Sequence, residues 1–231
     1  RPSRYVGGEW GAAGDHVLGG EKVSLCLAFP DVYEVGMSYL GFQILYDLAS
    51  RSEGVRVERV YCPWPDAESF MRENGMGLCS LETQKPLSSF DVVGFTLQYE
   101  LAGTNILTML DLGGIPLKAS ERGEGDPLIV AGGPGAFAPE PLAPFFDTFC
   151  VGDGELLLPD LFSLFQGKRR PRKEILEELS GIEGFYVPAL HRGGAVKSRI
   201  LKDLDKGFIP SGMIVPSSEI VHDRAAVEVF R

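Results

Sequence analysis

The chain is poor in the residues that metal and covalent chemistry usually recruit. Its four cysteines, Cys26, Cys62, Cys79 and Cys150, form no Cys-x-x-Cys pair and no Cys/His cluster. They read as reduced thiols in a cytoplasmic protein. Three of them (Cys26, Cys79 and Cys150) lie in apolar strand-like runs, where a cysteine serves as a small buried hydrophobe. The three histidines, His16, His191 and His222, are scattered, and no Ser/His/Asp or Cys/His set is readable around them. No apolar run approaches the ~20 residues of a membrane span. No signal peptide is visible, so no membrane partner is expected. Nucleotide loops are missing too. GxGxxG does not follow the first strand and GxxxxGK[ST] does not occur, which argues against a dinucleotide site and a Walker loop. Lys and Arg number 22 against 32 acids, a formal charge of −10, so no nucleic-acid partner is expected.

What remains is the composition of an ordered globular chain. Its 231 residues are 44% hydrophobic and 23% charged, which argues against disorder. That length allows one good-sized domain with an appendage, or two small domains. Residues 1–22 are glycine-rich and aperiodic and read as an arm. Tyr5 and Trp10 are expected to pin that arm by aromatic burial.

From Val23 onward strands and helices alternate. "VSLCLAFP", "FDVVGFTLQ", "PLIVAGGP" and "FDTFCVGDGE" are short, continuous apolar runs, as in strands covered on both faces. "VRVERVYCP" alternates with period two, as near a sheet edge. "SYLGFQILYDLASR" carries Leu40, Ile44, Leu45 and Leu48 at helical spacing. "PWPDAESFMRENG", "TNILTMLDLGG", "LLLPDLFSLFQG" and "RKEILEELSGI" complete the helices. The pattern predicts an open α/β sheet of about five parallel strands with helices on both faces. The expected divisions are an arm at 1–22, the α/β domain at 23–184, and a β-hairpin and linker at 185–231. In that hairpin "FYVPAL" and "AVKSRIL" flank an "RGG" turn. The abrupt last residues, "AAVEVFR", suggest a piece of a longer protein.

In such a sheet, ligands bind beyond the carboxyl ends of the strands, where strand order reverses. The loops there are "PDVYEVGMS", "TLQYELAGTN", "AGGPGAFAPEP" and "VGDGE". Their glycines, among them Gly36, Gly132, Gly133 and Gly152, allow backbone to approach a ligand closely.

Asp31-Val32-Tyr33-Glu34-Val35-Gly36 resembles the Asp-x-His-x-x-Gly of cobalamin-binding domains, with Tyr33 in the histidine's place. Thr96-Leu97 falls where their Ser-x-Leu element lies, imperfectly matched, and Gly132-Gly133 matches their Gly-Gly. The longer phrases "PSRYVGGEW", "LAFPDVYEVGMSYLGFQILYDL", "YCPWPDAESFMRENG" and "IVHDRAAVEVFR" are similar to the N-terminal part of a family of cobalamin-binding-type radical SAM proteins. The likeness runs over nearly the whole chain. It implies a flavodoxin-like strand order, 2-1-3-4-5. It also implies a corrinoid held beside the protein's own radical SAM domain, with a [4Fe–4S] cluster and S-adenosylmethionine in that domain.

The cofactor contacts expected from the resemblance and the rim are Asp31, Tyr33, Glu34, Gly36, Thr96, Leu97, Gln98, Tyr99, Glu100, Gly132, Gly133, Gly152, Asp153 and Glu155. No metal ligand and no catalytic residue is expected in this chain, which alone would not turn over. A phenol with a pKa of about 10 is a poor cobalt ligand, so the metal is expected to receive no imidazole. The alternative is a cofactor-free Rossmann-like scaffold that docks the rest of the same enzyme.

Overall fold

A computed structural model describes residues 2–13, 18, 20, 22–166, 170–210, 212–222, 224 and 226. The strands are β1 (Val23–Phe29), β2 (Val55–Tyr61), β3 (Val92–Thr96), β4 (Leu128–Gly132), β5 (Thr148–Cys150) and β6 (Phe185–Tyr186). The α-helical elements are α1 (Tyr33–Gly36), α2 (Leu40–Arg51), α3 (Pro65–Glu73), α4 (Gly103–Leu112), α5 (Gly154–Ser163), α6 (Arg172–Ser180) and α7 (Pro188–His191). The sheet order is β2-β1-β3-β4-β5-β6. The first five strands are parallel and β6 is antiparallel to β5. This is the expected open α/β architecture of flavodoxin-like type. No helix among the described residues is long and apolar enough to cross a membrane.

Alternation along the strands builds two apolar layers. Leu25, Leu27, Val92, Val130 and Cys150 face α2, α5 and α6. Cys26, Ala28, Val93, Phe95, Ile129 and Phe149 face α4. Each such side chain stabilises the fold by roughly 1.5–3 kcal/mol on burial. With both layers filled, the central strands have no polar face, which is why they read as unbroken apolar runs.

Three expectations are corrected. The segment after Gly184 is not a hairpin. Phe185 and Tyr186 pair with Cys150 and Phe149 and extend the main sheet. The chain then makes the short helix α7, and "RGG" begins with Arg192 in the left-handed conformation that ends it. Two buried aromatics gain more against the open edge of β5 than in an isolated two-strand ribbon. The arm is not pinned by burial of the Trp10 ring, which is 78% exposed, although the Trp10 backbone bridges Val215. Tyr5 contributes a hydrogen bond from the Trp64 N–H to its hydroxyl (3.2 Å). The motif after β1 is not an open loop, because Tyr33–Gly36 is a helical turn.

The arm's anchor is a charge. Glu9 is buried and accepts from Arg59 Nη2 at 3.0 Å. Arg59 projects from edge strand β2 and is itself 1% exposed. Its Nε contacts Glu82 Oε1 at 2.6 Å, and its backbone N–H donates to Glu82 Oε2 at 2.7 Å. The Tyr46 ring and the Met37 sulfur fill its remaining sides. Burial works against the Arg59 charge, but Glu82, Tyr61 and Glu9 outweigh it and hold the guanidinium above its usual range. Burial pushes Glu82 up, against the pull of Arg59. A buried ion pair is costly to break from one side, because the other charge is stranded. Arg59→Ala strands two carboxylates and is expected to destabilise the protein by about 3–5 kcal/mol. Glu9→Gln, which keeps a hydrogen-bonding group, is expected to cost less; urea denaturation of both variants checks the order.

Candidate functional site

The rim at the carboxyl ends of the strands is divided into a closed half and an open half. Over β1 it is closed. Tyr33, 1% exposed, points inward and donates to Glu9 Oε1 at 3.0 Å. Burial first, and Glu9 next, push its phenol up to about 12. Asp31 accepts from the Tyr99 hydroxyl and the Val32 N–H, both at 2.7 Å. Glu34 pairs with Arg4 at 2.5 Å and accepts from the Trp64 indole at 3.3 Å. Gly36 is a glycine for reasons of packing, since a Cβ there would run into the Tyr61 ring. The polar side chains of this motif are thus bonded within the chain.

Over β3, β4 and β5 the rim is open. A slot of about 370 Å³ runs down between α2 and α5 onto the sheet. Leu40, Gly41, Ile44 and Leu45 form one wall, and Gly154, Glu155 and Leu158 the other. The floor is Leu27, Gly94, Val130 and Cys150. Glycine inside a strand costs about 0.5–1 kcal/mol and often marks a close approach to something else. At Gly94 none of the described residues comes closer than ordinary contact. A Cβ there would lie 3.6 Å from the side chains of Leu25 and Leu27, in ordinary contact. The missing side chain is what gives the slot its depth.

The mouth is polar and lies on glycine backbone. Gln98 donates through its amide to the Thr96 hydroxyl. Gly133 has a φ of +94°, and a Cβ on it would sit 2.9 Å from the Leu97 carbonyl oxygen. That turn therefore needs glycine. Leu97 is buried; its N–H donates to Gly132 and its carbonyl accepts from the Gly135 N–H. Asp153 and Glu155 stand at the start of α5, where carboxylates suit a helix N-terminus.

Of the residues expected from sequence, Thr96, Gln98, Gly132, Gly133, Gly152, Asp153 and Glu155 come together around the slot. Asp31, Tyr33, Glu34, Gly36, Leu97, Tyr99 and Glu100 do not line it. Sequence reasoning missed Gly94, Leu45, Leu158 and Tyr39. A glycine in the middle of "VVGFT" was a readable signal for the first. His191 is satisfied by its own backbone, with Nδ1 accepting from the Val187 N–H at 2.9 Å. His16 and the basic residues at 168–169 lie outside the described residues.

The cysteines do not meet. Burial pushes the Cys62 and Cys150 thiols up to about 12 and Cys26 well above its ordinary value. Cys79 is half-buried. No three His, Cys, Asp or Glu side chains among the described residues gather where a metal ion could be held.

An α/β module with an apolar slot at the carboxyl rim is the class of protein this geometry defines. The sequence profile described as "Radical SAM proteins, N-terminal" matches residues 41–188. That is more than half of the chain, which therefore belongs to this family. Neither a curated protein nor a solved structure matches.

Two outcomes are expected here. Tyr33→Phe removes one hydrogen bond to a buried carboxylate and should lower stability by about 1–3 kcal/mol in urea denaturation. In the native protein at pH 8 an alkylating reagent should modify Cys79 about tenfold or more faster than Cys26, Cys62 or Cys150, read by peptide mass.

Proposed function

We propose that this N-terminal radical SAM module holds a corrinoid, with the nucleotide tail in the α2–α5 slot and no protein ligand to the cobalt. The observation that carries the reading is the slot itself: apolar walls, a floor opened by Gly94, and a mouth of glycine backbone with Thr96 and Gln98 as hydrogen-bonding groups. A flat heteroaromatic group suits such walls, and ribose hydroxyls suit a mouth that also carries the Asp153 and Glu155 carboxylates. When bound, the corrin's cobalt supplies group-transfer chemistry. The chain's own part is to bind and orient it. Tyr33 takes no part, because its hydroxyl is committed to Glu9.

The family name implies radical chemistry with a [4Fe–4S] cluster and S-adenosylmethionine in the whole enzyme. The residues described here do not fit the cluster, since its cysteine ligands are not among them. We assign both groups to the protein's own radical SAM domain, and we place the protein in the cytoplasm.

A second reading has its own observation in favour. The motif over β1 is sealed by its own side chains, as expected of a cofactor-free scaffold that docks the rest of the enzyme. One experiment separates the two. Purified protein is mixed with hydroxocobalamin, desalted, and its visible spectrum recorded. The corrinoid reading predicts retained corrin absorbance in wild type and in Tyr33→Phe, and at least about tenfold weaker retention in Gly94→Val, whose side chain rises into the slot. No retained absorbance in wild type selects the scaffold. Equal retention in Gly94→Val rejects the slot as the tail's site.

A further inference from the structure

The two walls of the slot are joined by a stretch of chain that belongs to neither. At the α5 wall, Arg199 bridges Gly152 in parallel, and its side chain pairs with Asp160 on α5. The Leu201 N–H donates to Asp153 Oδ2 at 2.7 Å. At the α2 wall, the Val221 N–H donates to the Glu34 carbonyl at 3.3 Å. The His222 N–H donates to Ser38 Oγ at 3.0 Å, two residues before α2 begins. Between these clasps Ile214 is buried, and Phe208 and Ile220 pack on the same apolar core as α2 and α5.

Two facing apolar walls wetted by solvent attract one another. Something must set their separation if the slot is to keep its width. Leu45 meets Gly154 across the top, where a Cβ on Gly154 would lie 2.7 Å from Leu45 Cδ2. That contact is a spacer at one point. The C-terminal stretch is a further connection, and it grips each wall separately.

We propose that residues 199–210 and 212–222 act as a strap that ties the two walls of the slot together. Whatever fills or spreads the slot loads both clasps, and a clasp cut at one wall is felt at the other. Linkage requires the effect to run both ways. The proposal takes the slot as the ligand site, and its test uses no corrinoid, so the two readings fail separately.

The experiment is residue-resolved amide hydrogen exchange on the full chain in wild type, Ser38→Ala, Asp160→Asn and Gly94→Val. Ser38→Ala removes the His222 bond of the α2 clasp, leaving the one from Val221, and should speed exchange at Leu201, on the far wall, at least about fivefold. Asp160→Asn weakens the α5 clasp and should speed exchange at His222 by a similar factor. Gly94→Val touches neither clasp and should shift both amides, while amides of β2, which does not pair with β3, stay as in wild type. A change confined to the wall that was cut, in both clasp variants, overturns the strap. So does a Gly94→Val protein whose two amides exchange as in wild type. If exchange in β1 shows that Ser38→Ala has lost its fold, Asp160→Asn and Gly94→Val decide alone.

Discussion

Much of this architecture depends on one buried guanidinium. Arg59 sits on an edge strand, on the face that also carries Val55 and Val57. It is neutralised by carboxylates from two segments outside the sheet, Glu9 of the arm and Glu82 of the 78–87 loop. A charge in that position would be intolerable alone and is tolerable with two partners and further donors and acceptors around it. The arrangement closes the β2 edge, because the backbone N–H of Arg59 is taken by Glu82 and its carbonyl by the Leu81 N–H. An edge so covered has little left with which to recruit another strand.

The same network decides which part of the rim remains available. Glu9 has two oxygens; one takes Arg59 and the other Tyr33. The short helix after β1 is thereby drawn inward, with Met37 receiving Arg59 and the Tyr61 hydroxyl on its sulfur. The open part of the rim shifts to β3, β4 and β5, where Gly94 leaves room and Gly133 and Gly152 let the chain's own backbone pass close. The open slot and the buried charges thus lie on neighbouring parts of one sheet.

The strands and the main helices were legible because strands covered on both faces leave an unmistakable run of apolar residues, as in Val23–Phe29, while the strand order came from the family resemblance. The glycine-lined half of the rim was legible for a related reason: Gly133 and Gly152 carry positive φ that other residues resist. The direction of Tyr33 was not, because it depends on Glu9, 24 residues upstream in an arm without periodicity. Glu58 and Arg59 in "VRVERVY" put a charge on each face of an edge strand, yet both are buried. Local pattern carries no record of a partner brought in from outside the sheet. Strand β6 was expected, inside "FYVPAL", but with the wrong partner, because a "GG" nearby mimics a hairpin turn.

The most direct measurement of the Arg59 network is a double-mutant cycle between Glu9→Gln and Arg59→Met, followed by urea denaturation. If the two side chains form the buried link described here, their effects should be non-additive by more than about 1 kcal/mol, because either change alone already breaks the pair. Losses that add to within about 0.5 kcal/mol would contradict it and leave the arm, and with it the inward turn of Tyr33, without its anchor.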